Sequence, residues 1–212
     1  MDERTDAKDT ARTEGLSDGV FSIALTLLVL DLTVPRLQNA TTGDLAEALH
    51  KQLFPLAVLT ITFATIFIMW INHHRLFARL HHMDGRAQAS NGLLLLLVTI
   101  CPFPTALAAE YLGQPAGRLA AAVYACYFIV VNIAFNLLIE AAARSTHAER
   151  HGLDQAAIAR LRKALRFGFF AYAAAALVAI WSAWASLGIC ALLWLLWARD
   201  LFRKAPQLNA TS

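Results

Sequence analysis

Four histidines stand in two pairs, His73 with His74 and His81 with His82. On a helix this spacing brings two imidazoles to neighbouring turns, the placement a metal site or a pH-sensing cluster uses. Asp84 is the one carboxylate beside them and no cysteine completes a set, so packed or hydrogen-bonded imidazoles account for His73 and His74 better, and no metal ligand is assigned. Asp18 is a different case. It lies inside the apolar run from Leu16 to Leu32, where a carboxylate is costly and is held against protein or water rather than lipid. Cys101, Cys126 and Cys190 all fall in apolar runs without a C-x-x-C pair and read as small buried hydrophobes. The G-x-S-x-G, H-E-x-x-H, Walker and Rossmann patterns are absent, so no enzyme and no cofactor is assigned.

The chain that must position these groups is apolar. Its 212 residues are 58% hydrophobic and 16% charged, with a net charge of +3 and a mean hydropathy of +0.52. Soluble domains carry about 25% charged residues, so the composition indicates an all-α integral membrane protein in one unit. The opening 15 residues hold five acids against three bases, which argues against a signal peptide. The bilayer is the expected surrounding; a nucleic-acid partner is not expected.

A crossing needs about 20 apolar residues. Spans are expected over 15–33, 53–72, 91–110 and 118–140, and the charge-free stretch 167–198, too long for one crossing, divides near 182–188 into spans over 165–182 and 186–201. Six spans with both termini inside place 15 Lys and Arg on the cytoplasmic side, leaving Arg36, Lys51 and Arg118 outside. A five-span reading would put Arg199, Arg203 and Lys204 outside and weaken that bias. Asp44 followed by Glu47 predicts a short capped helix ahead of span two, Pro102 and Pro104 predict a bend in span three, and residues 144–166 predict a basic amphipathic helix entering span five.

Span one carries the sharpest pattern. With Ile23 at zero and about 100° per residue, Leu16, Gly19, Thr26, Leu27 and Leu30 fall within about 60° of it. Ser17 and Asp18 fall on the far side, at about 120° and 220°. Pattern alone leaves open whether the Ile23 stripe packs on a partner helix or lines a pore, and favours packing.

The residues then resemble a known family. Arg12-Thr13-Glu14-Gly15-Leu16-Ser17-Asp18 resembles the R-x-x-x-F-S-D signature of bacterial homologues of the lysosomal potassium channel transmembrane protein 175, and the likeness continues to Asp31. Trp70-Ile71-Asn72-His73 is similar to its W-x-x-H segment; Asn91 and Pro102-Phe103-Pro104-Thr105-Ala106-Leu107 are similar to its N and P-F-x-T-A-L pattern. Leu16 replaces the usual Phe, keeping bulk without an aromatic face.

The resemblance implies a six-span subunit of a homotetramer in the cell membrane, with the first helix lining a potassium-permeable pore and no T-V-G-Y-G filter. Carried over residue by residue, the constriction falls on Ile23, Leu27 and Leu30, with Thr26 adding a hydroxyl. Arg12, Ser17 and Asp18 then tie helix one to Trp70, His73 or His74, and Asn91. Asp31 is either a cation-concentrating residue at the pore mouth or a solvated helix end. K⁺ is the permeant species; no bound metal is implied. The competing functions are a proton-coupled secondary transporter using Asp18 with His73 or His74, and a membrane scaffold subunit. Inverted repeats, which favour a transporter, are not evident in the sequence.

Overall fold

In the computed structural model, residues 3–78, 80, 83–144 and 155–203 are described, and the regular structure among them is helical throughout. Helix α1 (Glu3–Leu27) passes into a 3-10 turn (Leu28–Asp31); α2 (Thr42–Lys51), α3 (Leu53–Phe77), α4 (Gly85–Ile100), α5 (Pro102–Tyr111), α6 (Gly117–Arg144), α7 (Gln155–Ala179) and α8 (Ala183–Arg203) follow. Among the described residues, four segments are long and apolar enough to cross a membrane: Thr10–Leu30, Thr42–Phe77, Gly85–Tyr111 and Gly117–Arg144. The expected basic helix over 144–166 begins at Gln155, its earlier part lying outside the described residues.

Helix α1 begins about three turns before the expected span because residues 3–14 contain neither Gly nor Pro. It does not stay α-helical to residue 33. After Leu27 the chain tightens to three residues per turn, which sets Leu30 over Leu27. Leu32 is then extended, and Thr33-Val34-Pro35 keeps it so, since β-branching and a following proline both disfavour helix.

The cap of α2 also differs from expectation. Asp44 is not the N-cap but the third helical residue, and Thr41 is the cap. The Thr41 amide donates to Asp44 Oδ2 at 2.8 Å and the Asp44 amide donates to Thr41 Oγ1 at 3.3 Å, a reciprocal capping box. The Thr41 hydroxyl, then its amide, hold the Asp44 carboxyl below its ordinary range. That contribution is present at neutral pH and is lost as pH falls through the lowered value.

The bend expected from Pro102 and Pro104 is a break between α4 and α5. The Cys101 amide closes on the Val98 carbonyl, three residues back, at 3.2 Å. The Leu97 carbonyl is taken instead by the Tyr127 hydroxyl of α6, while the Cys101 carbonyl keeps the Thr105 amide at 3.4 Å and also accepts from the Thr105 hydroxyl at 2.9 Å. Backbone groups freed at membrane depth need partners of this kind. Tyr127→Phe is expected to lower stability by about 1 to 3 kcal/mol, read as a lower inactivation temperature in detergent.

Helix α6 is the hub, packed by α4, α5, α7 and α8. Its buried Ala121, Ala125, Ala134 and Ala142 let neighbouring backbones approach closely, and Tyr124, Phe128 and Leu138 fill the gaps between them. At Gly168 of α7 a Cβ would lie 2.9 Å from the Trp197 ring and 3.0 Å from the Asn132 amide, so a larger residue would have to displace those side chains. Glu140 joins α6 to α7 through Arg162 Nε at 2.8 Å. Helix α7 ends at Ala179 and α8 starts at Ala183, where Ser182 Oγ accepts from the Ala185 amide at 3.2 Å as an N-cap, so the divide falls at the early edge of its expected range. Cys101 and Cys190 are buried as expected, whereas Cys126 is exposed on the outer side of α6.

Candidate functional site

Helix α1 has two dissimilar faces. One packs on α3 and α4 and buries Ser17, Phe21, Ala24 and Leu28. On the other, Ile23 is 61% exposed, Leu27 38% and Leu30 70%, with Leu16 and Thr26 also open. No helix of the chain covers that stripe among the described residues.

The buried face is held by a polar chain linking three helices. Ser17 Oγ donates to the Thr13 carbonyl at 2.7 Å, which uses its single proton. The 3.0 Å contact between Ser17 Oγ and Asn91 Nδ2 is therefore a bond donated by the amide. Asn91 Oδ1 then faces His73 Nε2 at 2.8 Å as an acceptor, so that nitrogen carries a proton and donates it to the amide oxygen. Its Nδ1 is buried without a hydrogen-bond partner. Phe21 and Phe77 flank the ring, with centroids 5.3 and 4.2 Å away.

A second set lies beside the first. The Trp70 indole donates to Asp18 Oδ1 at 2.8 Å, and His74 Nδ1 lies 3.0 Å from Glu14 Oε1. Glu14 and Asp18 are one turn apart on α1; Trp70 and His74 are one turn apart on α3. The two histidines of the first pair thus have separate partners, Asn91 for the buried His73 and Glu14 for the exposed His74. Glu14 is the participant that sequence reasoning passed over. Its signal was available in the four-residue interval to Asp18.

Arg12 is exposed, and at about 100° per residue it falls on the Ile23 side of α1 rather than with Ser17 and Asp18. The backbone of Asp31 closes the 3-10 turn, and its side chain lies outside the described residues, as do His81 and His82. Thr26 Oγ1 donates to the Ile23 carbonyl at 2.8 Å, which leaves the oxygen lone pairs facing outward.

Residues 12–102, which hold both faces of α1 and their partners, match the family described as endosomal/lysosomal potassium channel TMEM175. A protein of Chamaesiphon minutus named potassium channel Cha6605_3372 is 42% identical over 200 residues, covering 93% of this chain and 98% of that protein. One of Streptomyces collinus, named potassium channel B446_29190, is 36% identical over 165 residues, covering 77% and 79%. The crystal structure of a lysosomal potassium-selective channel TMEM175 homolog from Chamaesiphon minutus superposes with a TM-score of 0.80 at 40% identity, covering 91% of this chain and 98% of that one. With the family match, the near full-length sequence similarity and the superposed helices in agreement, the chain belongs to the TMEM175 family.

Proposed function

We propose that the chain is one subunit of a potassium-permeable cation channel in the cell membrane, with six crossings, both termini cytoplasmic, and four copies arranged around α1. The observation that carries this reading is the open Ile23–Thr26–Leu27–Leu30 stripe, on a helix whose opposite face is fixed by buried polar bonds. A surface that its own chain leaves open is available to the axis of an assembly. The similar proteins named as potassium channels support the same assignment.

Within such a pore the aliphatic rings of Ile23, Leu27 and Leu30 form a neck that an ion passes only by shedding water. K⁺ sheds its shell at lower cost than Na⁺, which gives a preference without filter carbonyls. Thr26 offers oxygen acceptors to a partly dehydrated cation, since its proton is committed to the Ile23 carbonyl. Asp31 concentrates cations at the outer mouth. No chemical turnover is involved. Asp18 and the histidines position the helix rather than touch the ion.

The test is flux from liposomes loaded with K⁺ or Na⁺, with and without a proton ionophore. K⁺ flux exceeding Na⁺ flux and indifferent to the ionophore beyond charge compensation is expected. Flux that requires an opposing proton gradient would instead favour proton-coupled transport through Asp18 with His73 or His74. Native mass measurement should give four copies of the 23.2 kDa chain, and a conducting monomer would overturn the shared pore.

A further inference from the structure

We propose that Glu14, Asp18 and His74 form a binding site for a divalent transition metal of the zinc class, bridging α1 and α3. The inference does not depend on ion conduction. One ligand atom from each residue lies within 4.8 Å of the other two, and Glu14 Oε1 is 3.0 Å from His74 Nδ1. Tetrahedral zinc, with bonds of about 2.0 to 2.2 Å, sets its ligand atoms roughly 3.4 Å apart. Small side-chain rotations close the set without moving either helix.

The surroundings are those of a metal site. The Trp70 N–H donated to Asp18 Oδ1 orients that carboxylate, as the outer hydrogen-bond partners of metal ligands do. The Trp70 ring lies against His74 at 5.9 Å and 25°, which restrains the imidazole. One nitrogen with two carboxylate oxygens suits zinc, cobalt or nickel; calcium and magnesium take six or more oxygens. Three protein ligands leave a position for water, the mark of an open site rather than a closed structural one. The His74 side chain is 53% exposed, so an ion reaches the site from solvent. The metal would staple the polar end of α1 to α3.

The experiment is calorimetric titration of Zn²⁺ into the metal-free full-length protein in detergent, with the Co²⁺ absorption spectrum as a report on coordination. One site per chain is expected, lost or weakened about a hundredfold in Glu14→Gln and in His74→Gln, and retained in His74→Cys, which supplies another zinc ligand. Trp70→Phe should weaken it by about ten- to a hundredfold. Size-exclusion elution checks that each variant is folded. No binding up to millimolar Zn²⁺, binding unchanged in both glutamine variants, or failure of a folded His74→Cys to retain it would overturn the site and leave Glu14 and His74 as a simple ion pair.

Discussion

Leu27→Asn is expected to raise K⁺ flux through proteoliposomes and to bring Na⁺ flux closer to it. The neck opposes ions because leucine and isoleucine offer nothing to replace lost water, and an assembly of four copies changes a whole ring at once. Lowering the barrier by about 1 kcal/mol raises flux roughly fivefold, more for Na⁺, whose dehydration is the costlier. Ile23→Asn acts in the same direction. Leu25, half-buried on the other side of α1, is the control: Leu25→Asn should reduce yield without opening the pathway. Cysteine labelling tests the rotation of the helix directly, in a Cys126→Ser background because Cys126 is itself exposed. Ile23→Cys, Leu27→Cys and Leu30→Cys should react with pore-permeant thiol reagents while Leu25→Cys does not; the reverse pattern would mean that the stripe faces away from the ions.

Asn91→Ala is expected to have the largest effect on stability. His73 and Ser17 are fully buried and Asn91 nearly so. Without the amide, the His73 Nε2–H loses its acceptor and the imidazole is left with two unpartnered nitrogens in the core. At about 1 to 3 kcal/mol for each buried group left unpaired, tetramer yield should collapse and the inactivation temperature fall by roughly 5 to 10 °C. Asp18→Ala, which strands the Trp70 indole, should act in the same direction by less because its site is only half-buried. Neither should change the K⁺ to Na⁺ ratio of the channels that do assemble. Normal assembly with an altered ratio would put Asp18 in the ion path.

The division of α1 into two faces was legible because an α-helix repeats every 3.6 residues, and Ile23, Thr26 and Leu27 needed only that period. Where the period changes, legibility stops. The 3-10 turn at Leu28–Asp31 packs on α3 and α5, and nothing local to Leu28 announces those contacts. Thr41 was readable, since a threonine three residues before an acid is a capping signal, but Asp44 offered a competing one a turn later. Pro102 and Pro104 gave the break in span three. Tyr127, thirty residues on, could not be matched to the carbonyl it satisfies without knowing that α6 lies alongside. The second pair of histidines was legible only as a pair, and Glu14 with His74 only once α1 and α3 were seen to run side by side.

The α7–α8 corner carries a gauge of membrane thickness. Trp181 and Trp184 are 70% and 50% exposed there, and the Trp184 ring meets Phe54 at 4.9 Å, at the start of α3. Indoles settle at the headgroup level, so this contact places the junction of α2 and α3 at the same depth, with exposed Leu45 and Leu49 of α2 lying along the interface. From that plane the charge-free part of α8, residues 183–198, reaches about 24 Å at 1.5 Å per residue, against roughly 30 Å of hydrocarbon. Where α8 crosses the bilayer, as the proposed arrangement has it, its flank is hydrophobically mismatched, and lipid beside it must thin or shorten to meet it. Short-chain lipids should collect around that flank, and the protein would sort with the thinner membranes of its cell.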